Sequence, residues 1–294
     1  MTVAFRALSV GPAASPALSM PRATARLHSL FPSTVNLAVE AVDVLVALTG
    51  PSGSCYPHAV VLEQVVAFPA LGFSPGDAVH VSPEEIRLQG RRGAAVVTLR
   101  GARRPHRRAL PVIAPRGEAW RAAVRRLDEM QSRSSFDLRL SALVTGPVAG
   151  SARAAALQRS ARALGGARPG ARLFKAVSAL VGAGTGLTPS GDDFLSGLMA
   201  ASRATRNAGL ARALCEAVRE NLAATGDISA SLLRCAVGGH WVGPLVDLAD
   251  ALSADDRSAA LSSIDTLCGL GHSSGSDIAT GFLFGLATLP KASP

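Results

Sequence analysis

PVIAPRGEAWRAAVRRLDEM, residues 111–130, is where the chain changes character. Pro111 and Pro115 punctuate its first half as a linker. From Glu118 onward apolar residues recur at helical spacing, as in WRAAVRRLDEM. Working back towards the N-terminus, the pattern is that of strands. The runs FRALSV (5–10), VDVLVAL (42–48), HAVVLE (58–63), DAVHVS (77–82) and AAVVTLRG (94–101) are short and rich in β-branched residues. Turn clusters TGPSGS, FSPGD and QGRRG separate them. Working forward, nine segments carry the helical period: 120–130, 152–164, 172–181, 193–204, 210–222, 228–237, 243–252, 258–267 and 277–289. Strands first and helices afterwards predict an α+β protein in two segregated parts. Residues 1–112 are expected to form an antiparallel β-sheet or small barrel, and residues 113–294 an all-α domain.

Composition agrees with two domains of ordinary size. The 294 residues are 48% hydrophobic, ample for two packed cores. No apolar run reaches the 18 residues of a membrane span, so no membrane association is expected. Cys55, Cys215, Cys235 and Cys268 stand far apart, without CxxC or zinc-type spacing, which suits reduced thiols in a cytoplasmic protein. Gly11, Pro12 and Pro16 interrupt the N-terminal apolar stretch, so a first strand is read there rather than a signal peptide; a transit peptide is the alternative. The net charge of +9 invites a nucleic-acid reading. Two features weigh against it. The basic residues are nearly all Arg in an Ala- and Gly-rich chain, and the densest cluster, residues 91–108, has no aromatic on which a base could stack.

The chemistry is concentrated in GAGTGLTPSGDDFLSG, residues 182–197. Its plain reading is a capped helix start: Thr188 or Ser190 at the N-cap, Pro189 at the entry, and Asp192 and Asp193 favoured by the helix dipole. That reading leaves the glycines unexplained, since Gly197 inside a helix costs about 1 kcal/mol. A second stretch repeats the pattern. SGDDFLSGL (190–198) and SGSDIATGF (274–282) share the form S-G-x-D-apolar-x-x-G-apolar, which sets Asp193 against Asp277 and Gly197 against Gly281. Helical glycines admit a second backbone at close range. The two helices are therefore expected to cross at Gly197 and Gly281, bringing their N-terminal tips together.

Such converging tips would present free N–H groups, hydroxyls and carboxylates at one place. The N–H groups attract anions. The carboxylates accept hydrogen bonds from amide or ureido nitrogens, and they could bind Mg²⁺. The residues proposed for chemistry are Asp192, Asp193, Asp277 and His272, the last directly preceding the second motif. Those proposed to contact substrate are Thr188, Ser190, Gly191, Ser273, Ser274 and Gly275. Thr225 and Ser229 join them from a third helix start, TGDIS, and His28 and Ser29 from the β-rich part. GHSSG (271–275) matches a nucleophile elbow by letter, but a helical pattern precedes it where that elbow requires a strand.

GAGTGLTPSGDD and LGHSSGSD, supported by RLHSLFPSTVNL (26–37) and TGDISASLL (225–233), resemble the AllH-like family, whose namesake is a subunit of bacterial oxamate carbamoyltransferase. The resemblance spans residues 26 to about 285. Thr185 stands where proline is expected and Ser276 where an aromatic is expected. The family implies a role in allantoin and ureide catabolism, a branch of purine catabolism: oxalurate and phosphate give oxamate and carbamoyl phosphate, or the reverse. It also implies a hetero-oligomer with an acyl-CoA-synthetase-like subunit and a second companion. The family brings no assigned catalytic residues. A non-catalytic assembly or ligand-binding regulatory subunit is the alternative role.

Overall fold

The computed structural model describes residues 2–40, 42–130, 140–148 and 150–290. Contacts divide the chain into two compact units, with the boundary between Arg108 and Ala109. The first unit is β and the second is helical, as the change of period predicts.

Among the described residues the first unit has eight strands: β1 (Thr2–Val10), β2 (Ala23–Leu30), β3 (Thr34–Val39), β4 (Val46–Thr49), β5 (Ala59–Leu62), β6 (Ala78–Val81), β7 (Glu85–Gln89) and β8 (Ala94–Thr98). They close into a barrel in the order β1-β5-β4-β3-β2-β6-β7-β8, with β8 returning to β1. Closure removes the sheet edges that an open sheet would leave unpaired. Most neighbours are antiparallel; β1/β8 and β4/β5 are parallel. Alternate side chains fill the interior, including Ala25 and Leu27 of β2, Val79 and Val81 of β6, Ile86 and Leu88 of β7, and Ala95 and Val97 of β8. A register shift between Ala7 and Ser9 in β1 moves the inward position from Ala7 to Val10.

Three strands lie outside the sequence-based set. β2, β3 and β7 carry Arg, His, Ser, Asn or Glu on alternate positions, so their apolar halves do not form a continuous run. Conversely, only the end of the 42–48 run is strand, beginning at Val46. His58 directly precedes β5, is 9% exposed, and among the described residues has no hydrogen-bond partner for Nδ1. Burial pushes its pKa down to about 4.

The described helices of the second unit are α1 (Glu118–Glu129), α2 (Leu140–Thr145), α3 (Ala152–Leu164), α4 (Ala171–Ser178), α5 (Ser190–Ala204), α6 (Ala208–Asn221), α7 (Asp227–Val237), α8 (Gly243–Ala254), α9 (Arg257–Cys268) and α10 (Ser274–Thr288). All nine expected helices are present, and α2 is additional. α5 and α10 form the centre. Phe194, Leu195, Leu198 and Met199 of α5 are buried against Phe282, Leu283, Phe284 and Leu286 of α10 and the surrounding helices. The phenyl rings of Phe194 and Phe284 meet at 5.6 Å. The two helices are apolar on nearly every side, the composition of a helix enclosed by others.

Their crossing is set by the two matched glycines. A Cβ on Gly197 would lie 2.0 Å from the Ile278 carbonyl oxygen, and a Cβ on Gly281 would lie 2.0 Å from that of Phe194. The contact is reciprocal, because Phe194 and Ile278 occupy matching places in the doubled motif. Alanine at Gly281 would gain about 1 kcal/mol in helix propensity. The carbonyl it meets is backbone and cannot swing aside, and such overpacking costs about 1–3 kcal/mol or more. Gly281→Ala and Gly197→Ala are each expected to lower the melting temperature of the full chain, readable by calorimetry.

His58 makes stability depend on pH in a direction that follows from its shift. Its folded pKa lies below the unfolded value near 6.5, so the folded chain binds fewer protons than the unfolded one. Its contribution is complete above about pH 6.5 and is lost as pH falls towards about 4, with a ceiling of about 3 kcal/mol. Urea titrations at about pH 7 and about pH 4.5 should show a drop in the wild type that His58→Leu diminishes.

Candidate functional site

Several helices of the second unit are capped by side chains. Ser151 accepts from the Ala154 N–H, Asn207 from Leu210 and Asp256 from Ala259, while Asp255 reaches the Ala119 N–H of α1 at 2.8 Å. The polar starts of α5 and α10 are used differently. α5 begins at Ser190 with Pro189 at the cap position, and α10 begins at Ser274 with Ser273 at the cap; neither has a side-chain cap. The expected capping by Thr188 or Ser190 is therefore absent. Asp193 and Asp277 each sit at the fourth helical residue, past the place from which a side chain caps.

Asp192 has a place in the framework. It is 2% exposed. Its Oδ1 accepts from the Gly182 N–H at 2.8 Å, and its Oδ2 from the hydroxyls of Thr225 at 2.5 Å and Ser229 at 2.6 Å. One carboxylate thus ties the start of the glycine-rich approach loop to the start of α7. Thr225 and Ser229, expected to contact substrate, lie against the first motif with their hydroxyls donated to Asp192.

Asp193 faces the second motif. It is 5% exposed, and its Oδ2 is buried without a hydrogen-bond partner among the described residues. The hydroxyls of Thr188 and Ser274 stand 2.8 Å apart and link the two motifs directly. Burial is the largest influence on Asp193 and raises its pKa to about 8. Ser274 and Thr188 oppose that rise; the negative charges of Asp277 and Asp192 add to it. The desolvation effect amounts to several kcal/mol. It overrides the helix dipole, whose pull towards the ionised form is about 0.3–1 kcal/mol. Asp277 is wholly buried in the first turn of α10.

The expected anion site of free N–H groups is reduced. The Gly191 N–H donates to the Ala183 carbonyl at 2.7 Å, the Asp192 N–H to Pro189 at 2.9 Å and the Gly275 N–H to Leu270 at 3.0 Å. Gly191 and Gly275 instead serve close packing: a Cβ there would lie 2.0 Å from the Leu180 oxygen and 1.7 Å from the Leu267 oxygen. The helix starts consequently offer fewer free N–H donors than expected.

The remaining expected residues are spread more widely. Ser190 is buried, Ser273 half-buried, and His272 exposed on the turn before α10. Helix α9, not a strand, precedes GHSSG, so the nucleophile elbow is absent. His28 and Ser29 belong to β2 of the barrel, where Ser29 Oγ accepts from Asn36 Nδ2 at 2.9 Å and lies 3.2 Å from His28 Nδ1. Ser276, which the residue-by-residue reading did not select, is wholly buried with no partner for its Oγ among the described residues. Its position matches that of Asp192 in the doubled motif, and that match was the available signal. Among the described residues no three His, Cys, Asp or Glu side chains gather as a metal-binding set, and the carboxylates are not assigned as metal ligands.

Comparison with known families bears on both units. Residues 6–104 match the model of the AllH family N-terminal domain, and residues 180–286 match that of oxamate carbamoyltransferase subunit AllH. The chain belongs to the AllH family. The two matches divide as the structure does, one on the barrel and one on the helical unit from Leu180, just past α4, into α10. The second covers both halves of the doubled motif, together with the α7 start that holds Asp192. No solved structure matches the chain. No described helix of this AllH-family chain is long and apolar enough to cross a membrane.

The raised pKa of Asp193 has a consequence for stability. The folded chain holds a proton on Asp193 that the unfolded chain releases near the ordinary carboxyl value of 3.8. The stabilising effect is present at low pH and is lost as pH rises through about 8. Asparagine neither titrates nor carries the buried charge. Asp193→Asn should therefore gain on the wild type between about pH 4 and pH 8, by on the order of a few kcal/mol, in parallel urea titrations.

Proposed function

We propose that the chain acts as the AllH-type subunit of an oxamate carbamoyltransferase-like complex in ureide catabolism. The reaction joins oxalurate and phosphate to give oxamate and carbamoyl phosphate, or runs in reverse. The family matches supply the reaction class. The observation that carries the site is the pair of buried carboxylates, Asp193 and Asp277, at two uncapped helix starts joined by the Thr188–Ser274 contact. Such a pair accepts hydrogen bonds from the ureido N–H groups of oxalurate. Thr188 and Ser274 orient the substrate beside it, and Asp192 with Thr225 and Ser229 holds the approach loop in place.

In this reading the phosphate, which finds few free N–H groups here, is bound with help from companion subunits. These are an acyl-CoA-synthetase-like chain and a second partner. The complex works in the cytoplasm, where the buried thiols Cys215, Cys235 and Cys268 suit a reducing environment. An assembly role is the second reading; it is favoured by Asp192, whose carboxylate is fully engaged within the chain.

Reconstitution separates the two. The purified chain alone should not phosphorolyse oxalurate, and the assembled complex should. Asp193→Asn and Asp277→Asn should assemble normally but lower turnover by about 100-fold or more, the order expected on losing a positioned acid–base or charge-stabilising group. Near-normal turnover by both variants would leave the assembly role standing.

A further inference from the structure

Three features single out one oxygen of this site. Asp193 Oδ2 is buried and has no hydrogen-bond partner among the described residues. The neighbouring Asp192 carboxylate takes three donors from the chain, so its oxygens are already engaged. Asp277, at the matching place on α10, brings a second negative charge to bear on Asp193. Two carboxylates sharing a buried site cannot both ionise cheaply. The glycine crossing below them prevents the tips from moving apart, because α5 and α10 are in backbone contact there.

We infer that Asp193 is the proton donor of the site: it stands as the neutral acid beside Asp277 and delivers its proton to the nitrogen that leaves the ureido carbonyl carbon. The identity of that nitrogen rests on the functional reading above; the neutral state of Asp193 does not. Burial, with lesser contributions from the like charges of Asp277 on α10 and Asp192 on its own helix, raises the pKa of Asp193 to about 8 against the hydroxyls of Ser274 and Thr188. A general acid works best with a pKa near the operating pH.

The step balances with hydrogen phosphate as the second reactant. A phosphate oxygen bonds to the ureido carbonyl carbon and the carbon–nitrogen bond breaks. Its electron pair stays on nitrogen, which takes the Asp193 proton and becomes the amide of oxamate. The carbonyl carbon leaves as carbamoyl phosphate. The proton that had been on the attacking hydrogen phosphate restores Asp193 to its acid form. Asp193 selects for donors whose leaving nitrogen must be protonated, which are ureido and amide compounds rather than activated esters.

Two measurements test this. In infrared spectra of the full chain at about pH 7, a carboxylic-acid carbonyl band that shifts in D₂O should be present. It should vanish in Asp193→Asn and fade as pH rises through about 8. Absence of the band in the wild type, or its persistence in the variant, overturns the assignment of the proton. In the reconstituted complex, Asp193→Asn should lose about 100-fold or more on oxalurate. It should lose less than about tenfold on 4-nitrophenyl carbamate, whose phenolate departs without a proton. Equal losses on both donors overturn the proton-donor role while leaving the site in place. A wild-type complex that does not turn over oxalurate overturns the functional reading and the leaving nitrogen with it; the infrared band then decides the neutral acid alone.

Discussion

The helical unit depends on a backbone-to-backbone contact between α5 and α10. At Gly197 and Gly281 each helix presses on a carbonyl of the other, at a distance no side chain tolerates. The first turns of both helices, with Asp193 and Asp277, lie just N-terminal to that crossing. Asp193 and Asp277 come together because the glycines fix the crossing point, and because each carboxylate is four residues before its glycine. Interior glycine is a poor helix former, so the local cost is accepted for a tertiary geometry. The same economy of space recurs at Gly191 and Gly275, which seat the two helix starts against the carbonyls of Leu180 and Leu267.

From that geometry follows a division of labour among three aspartates of similar appearance. Asp192 and Asp193 are adjacent in sequence, yet a helix turns their side chains about 100° apart. One meets the loop and α7, where a backbone N–H and two hydroxyls fill its oxygens. The other meets α10, where burial and a second carboxylate dominate. The first is a fastening and the second is under electrostatic strain. Strained titratable groups in buried polar clusters mark functional sites more often than structural ones. The stability lost by keeping Asp193 there is the ordinary cost of such a site.

The barrel has a different logic. Its eight short strands bury apolar side chains on alternate positions, and closing the sheet spares it an exposed edge. β4 and β5 are buried on both faces, so they read as continuous apolar runs. β2, β6 and β7 bury one face and carry polar residues such as Arg26, His80 and Arg87 on the other. This difference explains which strands are readable from sequence. AVVL announces itself, whereas ATARLHSL and EIRLQ hide their period-two pattern in a mixed composition.

The order of a β unit followed by a helical unit, the positions of the expected helices and the crossing at the two glycines were legible in the sequence. They rest on periodicity and on a repeated motif, which are properties of residues near one another in the chain. What the tertiary structure alone decided was the closure of the barrel with its two parallel seams, the engagement of Asp192 by Thr225 and Ser229, the exposure of His272, and the isolation of the Ser276 hydroxyl. It also withdrew Thr188 and Ser190 from capping and filled the N–H groups thought free for an anion. Each of these is a question of which distant group satisfies a given polar atom, or of whether any does. Hydrogen-bond satisfaction and desolvation are set by contacts between segments remote in sequence. A motif can bring the right residues to one place, but only the packed interior determines which carboxylate keeps its proton.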